Sequence, residues 1–126
     1  RRAIGRAGMI RPRRTNTILY SDRWPEMVAF YRDTLGLTAT FENDWFVEFD
    51  LGYSAHVSIA DASRTTIRPG RGAGITLSWF VDDLAAARAR LVDAGIEISD
   101  GHRFSAVVID LHDPEGNRIE LWSDPP

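Results

Sequence analysis

Cysteine and lysine are both absent from the 126 residues of this chain. Without cysteine there can be no disulfide, no thiolate zinc site and no cysteine nucleophile. No stretch approaches the roughly 18 unbroken apolar residues that a helical membrane span needs. Several catalytic signatures are missing too: there is no G-x-S-x-G elbow, no P-loop and no G-x-G-x-x-G opening a helix. The glycines of "RPGRGAG" (68–74) precede a strand pattern, so they lack the helix N-terminus that makes a phosphate cradle. The first residues also lack the roughly 7–15 residue apolar core of a secretory signal, which makes the cytoplasm the expected location.

All 15 basic residues are arginine, as in the products of GC-rich bacterial genomes, and six of them lie in the first 14 positions. The rest of the chain sets nine arginines against 18 acidic residues, a formal balance of −9. Such a body repels nucleic acid, and only the leading arm attracts phosphates. We read residues 1–14 as a flexible arm, with an anion-binding tail as the functional alternative, and 15–126 as one domain.

That domain says one thing twice. "ILYSDRWPEMVAFYRDTLGLTATF" and "LSWFVDDLAAARARLVDAGIEIS" each read as strand, acidic helix start, amphipathic helix, glycine stop and strand. Trp24, Val28, Tyr31 and Leu35 form one apolar helical stripe, and Leu84, Ala87, Leu91 and Ala94 the other. Asp22 and Asp82 are the candidate N-caps, and Gly36 and Gly95 suit the left-handed residue that ends a helix. The following strands are expected at "LTATF", "WFVEFDL" and "AHVSIA", then at "IEIS", "SAVVIDLH" and "RIELW", with "DGHRF" and "DPEGN" as turns. Each half (15–61 and 74–123) is therefore βαβββ, an α+β fold.

This order, with "MVAFYRDTLGL" after the first strand and "DPEGNRIEL" near the end, resembles the vicinal oxygen chelate superfamily of glyoxalases, bleomycin-resistance proteins and dioxygenases. The resemblance implies a cupped mixed sheet with helices on its outer face, and commonly a homodimer. It also implies four ligand positions, on the first and last strand of each half, usually His, Gln or Glu around a divalent metal. Counting from the acidic helix starts puts these at Thr15 and Thr76. The repeat puts the others at Ser58 and Glu120. Three hydroxyls and one carboxylate suit Zn²⁺, Ni²⁺, Mn²⁺ or Fe²⁺ poorly.

Strand alternation supplies a second metal reading, in which the register moves by two and His56 joins Glu120. The other course for His56 is a hydrogen bond inside the cup or at its rim. His102 and His112 fall in turn-rich stretches and are expected to be solvated. Alternation also predicts a lining of Thr15, Thr17, Leu19, His56, Ser58, Thr76, Ser78, Phe80, Arg118, Glu120 and Trp122. Trp122 and Phe80 could stack on a planar ligand, Arg118 could clamp an anion, and Glu120 could serve as a base. Glu48 and Asp50 are expected on a wet outer face. The expectation is a metal-free binder of a planar or anionic small molecule, with a metal-dependent lyase or dioxygenase using Glu120 and His56 as the alternative.

Overall fold

In the computed structural model, which describes residues 8–125, the chain forms β1 (Thr15–Ser21), α1 (Trp24–Ala29), β2 (Ala39–Glu42), β3 (Phe46–Gly52) and β4 (Ala55–Asp61). The second half is β5 (Thr76–Phe80), α2 (Leu84–Asp93), β6 (Ser99–Arg103), β7 (Ala106–His112) and β8 (Arg118–Ser123). The sheets have the orders β1-β4-β3-β2 and β5-β8-β7-β6, so the repeat seen in the sequence is a repeat of topology. In each sheet the first and last strands of the half pair parallel and the others antiparallel.

Helix α1 departs from an ideal stripe by opening into a π-helical turn over Phe30–Thr34. The wider turn buries Met27, Val28, Phe30 and Tyr31 together and leaves Trp24 and Leu35 only partly buried. The stop glycines do as expected, with φ of +73° at Gly36 and +75° at Gly95. Arg90 of α2 donates to the carbonyls of Asp33 and Thr34 (2.9 and 2.8 Å), occupying acceptors that the end of the first helix leaves open. One core spans both halves: Val57, Ile59, Leu77, Ile119 and Leu121 of the strands pack with Met27, Tyr31 and Leu91 of the helices.

Three local expectations need correction. The residue before α1 is Arg23, not Asp22; Ser21 Oγ accepts its N–H at 2.8 Å while Asp22 pairs with Arg71 at 2.5 Å. The cap of α2 is Asp83 rather than Asp82, accepting from the Ala86 N–H at 2.9 Å. The expected strand "IEIS" gives way to β6 at 99–103, inside the stretch read as a turn, because Ile96 and Ile98 are packed against the core before pairing begins. The bend then falls at Phe104, whose φ is +56°. Residues 1–7 of the arm lie outside the described residues, while Arg14 pairs with Glu48 at 2.6 Å. Among the described residues no helix is long and apolar enough to cross a membrane.

Candidate functional site

Strand pairing decides which side chains share the concave face. Asn16 and Ile18 lie beside His56 and Ser58, whereas Thr15 and Thr17 lie beside Ala55 and Val57. The expected lining residues Thr15, Thr17 and Leu19 are therefore on the opposite face, and Leu19 is in the core. The displacement by one has a simple origin. Counted from Arg23, the true residue before the helix, the first-strand position is Asn16, just as Asp83 leads to Thr76. The four positions read Asn16, Ser58, Thr76 and Glu120.

The first half carries a polar chain on this face. Ser58 Oγ donates to Asn16 Oδ1 at 2.7 Å, and Asn16 Nδ2 lies 3.4 Å from Glu48 Oε2. Glu48 Oε1 accepts from Thr40 Oγ1 at 2.8 Å and from Arg14 at 2.6 Å. The Thr40 hydrogen bond, which outweighs the opposing effect of burial, holds the Glu48 carboxyl below its ordinary range, and the Arg14 guanidinium adds to it. Glu48 and Asp50 are thus on the concave face beside Ser58 and His56, not on an outer one. The helices already cover the other face of the sheet, so the wet face of β3 is the concave one.

His56 is buried on the same face as Ser58. Its Nδ1 lies 3.1 Å from the Thr15 carbonyl, which can only accept, so Nδ1 carries a proton and donates. Its Nε2 is 4.0 Å from Asp50. His102 and His112 are exposed.

In the second half Glu120 is buried in the middle of β8, and Ser78 Oγ of β5 donates to its Oε1 at 2.6 Å. Arg118 is engaged on both sides. Its Nη2 donates to Asp110 at 2.7 Å and lies 3.6 Å from Glu120 Oε2, and its Nη1 reaches Thr76 Oγ1 at 3.1 Å. Phe80 and Trp122 meet edge to face with centroids 4.9 Å apart. A cavity of about 380 Å³ opens here, with Ser78 and Glu120 in its wall beside Val108, Trp122 and the exposed Phe104 and Asp124.

Ser78 also borders a second cavity, of about 610 Å³, with Phe80 on its own side and Asp50, Tyr53 and Ala55 from the first half. At the other end of the seam Ile18 and Tyr20 share a small cavity with Ile75 and Asn117. Strands β1 and β5 therefore run past one another in opposite senses, and the two concave faces adjoin within one chain.

Of the residues expected from sequence, Glu120 and Trp122 share the 380 Å³ cavity, and Ser78 links it to the next. Phe80 supports Trp122 from the neighbouring cavity; Thr76 and Arg118 sit beside the site without lining it. Asn16 and Phe104 were missed, and Glu48 was assigned to the wrong face of β3. Asn16 is recoverable by alternation once the helix start is known, but no periodicity marks Phe104, which sits in a turn.

The donor set does not suit a divalent metal. Ser58 is spent on Asn16, and among the described residues no group of three or more His, Cys, Asp or Glu could hold an ion.

The fold has many relatives. A lactoylglutathione lyase from Agrobacterium tumefaciens superimposes with a TM-score of 0.71 at 20% identity, over 86% of this chain and 91% of that one. A glyoxalase/bleomycin resistance protein from Catenulispora acidiphila gives 0.73 at 19%, over 90% and 100%. A glyoxalase/bleomycin resistance protein/dioxygenase from Nocardioides gives 0.73 at 20%, over 95% and 89%. At such identities the likeness speaks to fold alone, and no curated protein matches the chain in sequence. The family model for the glyoxalase/bleomycin resistance protein/dioxygenase superfamily, however, matches residues 14–121, which takes in both βαβββ halves from the first strand to Leu121. With the doubled topology and the adjoining concave faces, that match makes this chain a member of the glyoxalase/bleomycin resistance protein/dioxygenase superfamily.

Proposed function

We propose that the protein binds a small planar molecule in the second-half cavity without a catalytic metal. The observation that carries this reading is the cavity itself, about 380 Å³ with Trp122, Phe104 and Val108 around a single buried carboxyl group. That is the size and mixed lining of a small-molecule site. A homodimer, in which a second chain flanks the same opening, is part of the proposal. A location inside the cell is part of the same proposal.

The test is metal content, by elemental mass spectrometry, after incubation with Zn²⁺, Ni²⁺, Mn²⁺ and Fe²⁺ and desalting. Well under 0.1 equivalent per chain is expected, because one carboxylate and hydroxyls do not hold a transition ion through desalting. About one equivalent, lost in Glu120→Ala, would sink the metal-free reading.

One observation favours the alternative, a metal-dependent lyase or dioxygenase using Glu120 and His56. A histidine whose Nδ1–H is anchored on a backbone carbonyl presents Nε2 in the manner of an oriented ligand. In the same experiment that reading predicts loss of bound ion in His56→Ala as well.

Phe104 supplies a check on the cavity. A non-glycine residue at φ of +56°, with its ring fully exposed, costs the turn about 1 kcal/mol. Phe104→Gly is expected to raise thermal stability by a few degrees. The same change should weaken planar ligands several-fold, because it removes a wall. A variant that loses stability and keeps full affinity would place the ring outside the site.

A further inference from the structure

We infer that the second-half cavity is one end of a longer site that continues across the seam between the halves; this deepens the proposed function and rests on it. The ligand that fits has two flat ring groups joined by a linker that donates a hydrogen bond.

The two spaces meet at Ser78. It is exposed, and among the described residues it alone borders both the cavity of about 380 Å³ and the seam cavity of about 610 Å³. Aromatic surface runs on through the junction. Phe80 lines the seam cavity half exposed, and its ring meets Trp122 of the second-half cavity with centroids 4.9 Å apart. Beyond Phe80 the seam cavity offers Leu51, Trp79 and Val81. Each space falls within the range of about 300–1,000 Å³ usual for a small-molecule site, so the pair has room for a ligand in two parts.

Both ends carry the same device. Tyr53 closes the seam cavity and Phe104 the other, each ring fully exposed on a left-handed residue, with φ of +53° and +56°. Ser54 follows at +64°, so the β3–β4 hairpin turns on two successive left-handed side chains where Asn-Gly would fit at less cost. Such residues meet a steric penalty and cluster at ligand clamps. The hairpin is braced on both sides: the Gly52 N–H donates to Asp50 Oδ1 at 3.0 Å, and the Thr15 N–H to the Ser54 carbonyl at 2.9 Å. Tyr53 is therefore held out at a fixed place, where a flat group in the seam cavity would cover it.

Ser78 sets the chemistry between the two ends. A serine hydroxyl has one proton, and this one is donated to Glu120 Oε1 at 2.6 Å. Toward the groove the oxygen can only accept. A linker with an N–H or O–H satisfies it, whereas an ether or carbonyl oxygen does not.

The experiment titrates three probes by fluorescence at pH 7, where all are neutral. N-phenyl-1-naphthylamine has two ring groups and an N–H linker, 1-phenoxynaphthalene replaces the N–H with oxygen, and 1-naphthylamine lacks the second ring. The two-ring amine is expected to bind about tenfold or more tighter than 1-naphthylamine, and about threefold or more tighter than the ether. Tyr53→Ala should weaken both two-ring probes about fivefold or more and leave 1-naphthylamine unchanged. Ser78→Ala should bring amine and ether within about twofold of each other. Melting curves confirm that the variants are folded, and the Tyr53 substitution, at an exposed ring, stands without the other. A two-ring amine no tighter than 1-naphthylamine, or one indifferent to Tyr53→Ala, overturns the second subsite and leaves the planar-ligand pocket. So does a Tyr53→Ala protein that binds all three normally but sediments as a smaller species, which would assign the ring to an interface between copies. Equal binding of amine and ether in the native protein overturns the role of Ser78. Binding of none of the three overturns the pocket reading itself, and the longer site with it.

Discussion

Replacing Asp113 with alanine is expected to lower stability by about 3–5 kcal/mol, among the largest effects available to a single substitution here. Asp113 opens the "DPEGN" turn between β7 and β8 and is 5% exposed. Its Oδ1 accepts from the Glu115 and Asn117 backbone amides, both at 2.9 Å. Its Oδ2 accepts from Asn117 Nδ2 at 2.8 Å and from Tyr31 Oη–H at 2.7 Å. Alanine would leave these four donors buried without their acceptor, and each such loss costs about 1–3 kcal/mol before any relaxation. The Tyr31 bond reaches 82 residues back along the chain, so the turn of the second half is pinned to the helix of the first. Tyr31 is itself fully buried, and burial together with the Asp113 carboxylate pushes its phenol well above the ordinary tyrosine range. It therefore stays a donor at any working pH. Asp113→Asn keeps Oδ1 but sets an amide against Tyr31 and Asn117, and should cost less than alanine. Denaturant unfolding with matched slopes would decide the matter. An unchanged midpoint in Asp113→Ala would show that the turn is not what joins the halves.

The second large effect is expected at Gly72, in the loop between the halves. A Cβ there would lie 2.1 Å from the Gly116 carbonyl oxygen and 2.7 Å from its carbon, on a residue with φ of +87°. Both partners are backbone, so nothing flexible can give way. Gly72→Ala should therefore cost about 3 kcal/mol or more, by displacing the loop or the turn. Its neighbour supplies the control. Gly74 has φ of +71° but nothing within 4 Å of its notional Cβ. Gly74→Ala should show only the penalty for a left-handed residue, about 1 kcal/mol. Equal losses at the two positions would mean that conformation alone, not the contact with Gly116, makes glycine necessary. The contact has a companion in Arg71, which pairs with Asp22 at 2.5 Å and lies 3.7 Å from Glu115. Glu115 in turn accepts from Ser21 at the end of β1. Loop, turn and first strand thus form one clasp, on the side of the molecule where Tyr20 and Ile75 pass each other.

Much of the fold was legible because it is written in local pattern. Two glycines at helix ends, two apolar stripes and a turn of the form Asp-Pro-Glu-Gly-Asn follow from backbone sterics and side-chain spacing. These are properties of residues within a few positions of one another. The alternation of β8 was read correctly for the same reason, with Ile119 and Leu121 inward and Glu120 on the opposite, concave face. The failures lie where local pattern is silent. Nothing near Thr15 says whether it or Asn16 faces the cup, because "TNT" is polar on both sides. Only the pairing with β4 and the late start of α1 decide it. Strand β6 was hidden because Ser99, Asp100, Gly101 and His102 have poor strand propensity; β7 imposes the extended form on them by pairing.

The chemistry of the site divides along the same line. Which residue types stand on the concave face of β5 and β8 was decided by the sequence, since a strand alternates whatever surrounds it. Whether Arg118 is free to meet a ligand was not, because Asp110 lies on another strand and the register of β7 against β8 brings it within 2.7 Å. Nor could any pattern say that the hairpin after β3 would border the same space as Ser78. Spacing along a chain sets the face a side chain takes; only the packing of distant segments sets what that face meets.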